Sequence, residues 1–230
     1  MNSNRVRLVD PTSLPTDTPL APPASAIESW TQAWVATHTL ITTRQNVSPR
    51  RLEQPGPSPD QLTAMFSLAA AAPDHGRLMP WRFVVVPLDK RVLLAEAFAL
   101  ALIDRDPGAT LEQIEAAREK AYRAPLLMLA IATLAHGPVG IPAAERLVSL
   151  GAAIQNLLLG AQALGFGAGL SSGRSTMSVR VRSLFDLAAG EDPVCFVSMG
   201  TPVHQRERRE RPHPEMFVTQ LQAMATGSHA

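Results

Sequence analysis

Residues 72–86, "APDHGRLMPWRFVVV", decide how this chain is read. An alanine-rich helical pattern runs into Pro73, whose missing N–H cannot continue a helix. A short polar loop with one histidine, His75, follows, and Pro80-Trp81 leads into an apolar run. The spacing predicts a strand over Phe83–Pro87, with Trp81 packed beneath the loop ahead of it.

Outward from that loop, three helix starts carry capping boxes, in which a hydroxyl and a side chain three residues on satisfy each other's end of the backbone. They are Ser25 with Glu28, Ser58 with Gln61, and Thr110 with Gln113. Pro59 follows Ser58 at the first helical position, where no N–H is needed. Helices are predicted near 26–43, 59–71, 90–102, 110–121, 143–164 and 178–188. Strands are predicted at Phe83–Pro87, Leu126–Leu134 and Val194–Met199, with a weaker one at Gly167–Leu170. "LLMLAIATL" (126–134) has no polar alternation, so helices are expected over both of its faces. The irregular interleaving predicts an α+β fold, a mixed sheet flanked by helices, rather than a doubly wound one.

The first 24 residues hold prolines at 11, 15, 19, 22 and 23 and little apolar material, so they read as a disordered leader. One domain is expected over 25–221, with a flexible tail at 222–230. The leader lacks the apolar segment of a secretory signal, and the lone Cys195 suits a reducing compartment, which predicts a cytoplasmic protein. Within its apolar run, Cys195 reads as a small buried hydrophobe. Residues 147–173 contain no charge, but Gln155, Asn156 and Gln162, and then Gly165, Gly167 and Gly169, interrupt them. That pattern fits a helix buried in a large core, its amides partnered there, better than a membrane span.

With 21 basic and 20 acidic residues the net charge is +1, so no global field recruits nucleic acid or anionic membrane. The run "RERRER" (206–211) is diluted by two glutamates and reads as a solvated arm. Neither H-E-x-x-H nor C-x-x-C occurs, which predicts no metal site. Neither a phosphate-binding P-loop nor a serine-hydrolase elbow is recognised, and "GFGAG" lacks the full dinucleotide fingerprint. Any hard chemistry would therefore belong to a bound cofactor.

Three stretches together resemble the flavin-dependent nitroreductase family, in particular its small YdjA-like branch. "TTRQNVSPRRLEQPGPSPDQL" (42–62) is similar to that family's R-R-S motif and following link. The loop 72–86 is similar to its "APDH…PWxFxVV", and "GFGAGLSSG" (165–173) stands at its "GFGxxWRSG". "GTP" (200–202) and "RPHPEMFVTQL" (211–221) are similar to its C-terminal tail. The resemblance spans about 40–221. It implies an intertwined homodimer with two FMN sites, each lined by both chains, and ping-pong transfer from NAD(P)H through FMN to a nitroaromatic, quinone or similar small acceptor. No catalytic side chain is implied, because the flavin N5 carries the chemistry. Arg44 matches the first motif arginine, while Gln45 and Asn46 take the places of the second arginine and the serine. Pro73 and His75 match the loop beside the flavin. Leu170, Ser171 and Ser172 stand where the branch has Trp-Arg-Ser, so a second arginine is lost, and Arg206 after "GTP" is the candidate to replace it. Other flavin chemistry on the same fold (dehalogenation or flavin degradation) and a flavin-poor, non-catalytic dimeric module are the alternatives.

Overall fold

The computed structural model describes residues 24–135, 140–204 and 210–221. By contacts the chain divides at Thr42/Thr43 into two units. The first contributes helix α1 (Ala24–Thr43), on which Trp30 and Trp34 lie one turn apart and exposed, Trp34 tilted against the His38 ring at 5.7 Å. The sequence pattern makes Ser25 the cap of this helix, but the helix already includes Ala24, so Ser25 lies within it.

The second unit runs β1 (Leu52–Glu53), α2 (Pro59–Ala70), β2 (Trp81–Val85), α3 (Arg91–Arg105), α4 (Leu111–Arg118), β3 (Leu126–Thr133), α5 (Ala143–Ala163), β4 (Gly167–Ser171), α6 (Val179–Leu184) and β5 (Glu191–Pro202). Both remaining capping boxes form as the sequence predicts: Ser58 with Gln61 at α2 and Thr110 with Gln113 at α4. α4 gives way after Arg118 to a 3-10 turn over Glu119–Tyr122.

The sheet runs β1-β5-β3-β2, with β4 also on β5, and these strand pairs are antiparallel. Its parallel element is one bridge, Asn46 to Ala168. Because strand side chains alternate, β3 serves two cores. Met128, Ala130 and Ala132 join α2 and α5 in one cluster, while Leu127, Leu129 and Ile131 join α3 and α6 in the other. That is why "LLMLAIATL" is apolar throughout.

Two strands depart from their predicted bounds. β2 has the predicted length but runs two residues earlier, from Trp81, paired with Ala132, to Val85, and Trp81 is itself buried. β5 extends back to Glu191 through Pro193, a residue that local rules make a strand breaker. The register shifts there, between Ala130 and Ile131 of the partner strand, and a bulge is where a strand tolerates a residue without an N–H.

One buried side chain pins the α3 layer to the sheet. Arg91, 1% exposed, donates Nε to the Val86 carbonyl, Nη1 to those of Ala121 and Ala124, and Nη2 to that of Pro125. Burial pushes its guanidinium below the usual arginine value. Among the described residues no helix is long and apolar enough to cross a membrane.

Candidate functional site

Residues 44–48 run as a strap beside β4. The Val47 N–H donates to the Ala168 carbonyl at 2.9 Å, and Asn46 Oδ1 accepts the Leu170 N–H at 3.0 Å. The approach is close enough that a Cβ at Gly169 would collide with the Val47 carbonyl oxygen. Asn46 and Leu170, two residues singled out in the sequence, are thus brought together, but the Asn46 side-chain oxygen is spent on the backbone of β4.

Arg44 opens the strap, half-buried, and its carbonyl accepts a hydrogen bond from Arg211 Nη2. Burial, and then the nearby Arg211 guanidinium, push Arg44 below the ordinary arginine value. Two cations this near one another can attract an anion. Arg206, the candidate to replace a lost arginine, lies outside the described residues. Arg211 stands beside Arg44; the sequence marks it only as the end of the "RERRER" run and the start of the tail stretch 211–221, not as a site residue.

A cavity of about 400 Å³ adjoins the strap, lined among others by Gln45, Asn46, Ser48, Arg51, Gln162 and His204. Gln162 Nε2 donates to Thr43 Oγ1 at 2.6 Å on its wall.

Ser171 and Ser172 line a second cavity, of about 630 Å³. Their neighbours there include Leu170, Arg105, Lys120, Arg123 and Arg174, and no carboxylate lines it among the described residues. The basic residues ahead of β3, in "REKAYR" (118–123), are the sequence signal for this cavity that motif reading passes over. It also passes over letters that do occur: Gly169–Gly173 spell G-x-S-x-G. Ser171, however, is the last residue of β4, and α6 begins only at Val179. The sharp strand-to-helix turn that a nucleophile elbow needs is absent there.

Pro73 and His75 belong to another constellation, on α5. The Pro73 carbonyl accepts from Ser149 Oγ at 2.5 Å, and His75 Nδ1 lies 2.7 Å from Glu145 Oε2. Asp74 organises the loop by accepting the Leu78 and Met79 N–H groups at 3.1 and 2.7 Å. Gly76 takes φ 74°, and Arg77 and Met79, at 52° and 45°, occupy the left-handed region at a cost of about 1–3 kcal/mol each. Asn156 donates from Nδ2 to the Leu68 carbonyl at 2.9 Å, a partnered amide between α5 and α2.

Known proteins share this fold. The model of the nitroreductase family matches residues 43–201. A protein of Haemophilus influenzae described as a "Putative NAD(P)H nitroreductase" is 32% identical over 184 residues, 80% of this chain and 98% of that protein. YdjA of Escherichia coli K12, described in the same words, is 30% identical over 181 residues, 78% of this chain and 96% of its own. Among solved structures, a nitroreductase-like protein from Bacillus cereus overlays with TM-score 0.70 at 18% identity, covering 81% of this chain and 96% of that one. The FMN-dependent nitroreductase NfnB from Mycobacterium smegmatis, in complex with NADPH, overlays at 0.64 and 18% identity, covering 83% and 100%. Iodotyrosine deiodinase bound to FMN and 3-iodo-L-tyrosine overlays at 0.59 and 19% identity, covering 81% and 99%. With most of both relatives covered and the family model spanning the strap and all five strands to Thr201, this chain belongs to the nitroreductase family.

Proposed function

We propose that the protein is an FMN-dependent NAD(P)H oxidoreductase of nitroreductase type, working as a cytoplasmic homodimer on a nitroaromatic, quinone or similar small acceptor. The observation that carries this reading is the Arg44–Arg211 pair at the end of the strap. A partly desolvated Arg44 guanidinium, with the Arg211 guanidinium held on the Arg44 backbone carbonyl, fits the phosphate of FMN. FMN when bound supplies the redox chemistry, accepting hydride from NAD(P)H and returning electrons to the acceptor in alternation.

The chain's own residues hold and orient. Arg44 and Arg211 would grip the phosphate, assisted by Gln45 at the cavity wall. Asn46 fixes the strap against β4, leaving the exposed ends of Leu170, Ser171 and Ser172 toward the ring system. Pro73 and His75, anchored on α5, are supplied by the other chain of the dimer in this reading. An apolar tail supports the dimer: Met216, Phe217, Val218 and Leu221 are all exposed on the single chain, which calls for a covering partner.

The test is spectroscopic. The purified protein should absorb near ~450 nm, bleach anaerobically with NAD(P)H and recover its colour with an acceptor panel. Turnover should give parallel double-reciprocal lines. A colourless protein that rejects added FMN would sink the reading in favour of a non-catalytic module. Reductive dehalogenation is the second reading, supported by the overlay with iodotyrosine deiodinase. Recovery with halogenated aromatics alone would favour it.

A further inference from the structure

The larger cavity has a chemistry of its own. Its floor is built from Phe98, Leu127 and Phe196, members of the α3-side core, and Ser198 sits two residues along β5 from Phe196, on the same face. The strap cavity lies toward the other core, where its Phe166 packs. Ser198 is fully buried, and its Oγ has no hydrogen-bond partner among the described residues. A buried hydroxyl left unpaired costs about 1–3 kcal/mol, so it marks a position where a partner is wanted.

The rim above Ser198 carries Arg105, Lys120, Arg123 and Arg174, and none of them forms an ion pair with a carboxylate among the described residues. Partial burial, and then Arg123, Arg105 and Arg50, depress the Lys120 ammonium below its usual value. Cations that repel one another over a hydroxyl-lined hollow are relieved together by one multiply charged anion.

We propose that this cavity is a phosphate-monoester site, separate from the Arg44–Arg211 pair, in which Lys120, Arg123 and Arg174 supply the charge and Ser198 supplies a hydroxyl to the phosphoryl oxygens. Dianionic phosphate matches both the excess charge and the surplus of donors, which a monoanionic carboxylate would leave partly unmet. Under the function proposed above, in which Arg44 and Arg211 take the one phosphate of FMN, the carrier left for this site is the 2′-phosphate of NADPH, and FMN occupies it only where that assignment fails. The inference rests on that reading for the identity of the carrier only.

The experiment uses the full chain, the double variant Lys120→Gln/Arg174→Gln, and Ser198→Ala. The first readout is thermal unfolding against inorganic phosphate. Phosphate should raise the midpoint of the wild type, with affinity falling about 10–100-fold in the double variant. Ser198→Ala should be at least as stable as wild type without phosphate, yet respond to it less. The second readout is calorimetry of FMN against riboflavin and of NADP⁺ against NAD⁺. A collapse of the first ratio in the double variant assigns the site to the flavin, and a collapse of the second assigns it to the dinucleotide. Equal protection of wild type and double variant by phosphate, or both ratios unchanged, overturns the proposal. A chain that binds no flavin but loses phosphate protection in the variants removes the flavin reading and leaves this one standing.

Discussion

The Arg211 guanidinium donates to the backbone carbonyl of Arg44, so the last described stretch of the chain is tied to the residue that opens the strap. The two cations therefore differ in role. Arg211 is positioned through a backbone bond, and under the proposed function the Arg44 side chain meets the flavin phosphate. Arg44→Ala and Arg211→Ala should each weaken FMN about 10–100-fold, the equivalent of one charge-assisted bond. Riboflavin, without a phosphate, should bind both variants as it binds the wild type. Gln45→Arg should tighten FMN over the same range and leave riboflavin unmoved. Calorimetric titration of the three variants with both ligands decides the matter, and equal effects on riboflavin would move the phosphate away from the strap.

Gly169→Ala tests the strap itself. The added methyl meets the Val47 carbonyl oxygen, which is backbone and cannot rotate away. The strap must lift from β4, at a cost of about 1–3 kcal/mol for overpacking. Urea unfolding should show that loss, and hydrogen exchange at the Val47 amide should accelerate. FMN affinity should fall with it, and a variant that keeps full affinity would place the flavin elsewhere.

Arg82 and Glu191 form a two-bond pair across the sheet end, Nε to Oε1 at 2.7 Å and Nη2 to Oε2 at 2.8 Å, and Glu191 also accepts the Ala188 N–H. The Arg82 hydrogen bond holds the Glu191 carboxyl below its ordinary value of 4.5. A depressed carboxyl stabilises the fold above its unfolded pKa, and that stability is lost as pH falls through the folded value. Glu191→Gln should therefore cost about 1–2 kcal/mol at neutral pH, a figure discounted for the part-exposed Arg82. The gap to wild type should close below pH 4.5. A constant gap across the acid range would mean that packing, not charge, sets the cost.

Burial pushes the Cys195 thiol up to about 11. At about pH 8 it carries almost no thiolate, so the native protein should resist a thiol reagent that reacts fully in denaturant. Rapid labelling of the folded chain would contradict the buried position on β5.

The parts of the fold legible in the sequence are those written locally. The Ser58 and Thr110 boxes, the uninterrupted "LLMLAIATL" and the glycine-bounded β4 each specify an element without help from distant residues. The first part of β5 is hidden because Pro193 forbids a strand by local rules, and only the register shift opposite Ala130 and Ile131 accommodates it. The candidate site divides in the same way. Of the residues that motif spacing singles out, Asn46 and Leu170 are brought together at the edge of β4, while Ser171 and Ser172 line the second cavity. Arg211, Lys120 and Arg123 are not singled out as site residues, because each sits in a mixed-charge run whose meaning depends on what the fold sets across from it.

Arg91 gives that dependence a further consequence. Its guanidinium reaches acceptors at 86, 121, 124 and 125, stretches far apart along the chain that coincide only once α3, the end of β2 and the approach to β3 are all in place. Opening any one of them strands a buried cation, so the three should come apart as one cooperative unit rather than fray separately. The segment thus fixed, 121–125, contains Arg123 and directly follows Lys120. A chain whose α3 layer has not docked therefore presents no organised basic rim, and the ability to hold a phosphate there becomes a signature of completed folding.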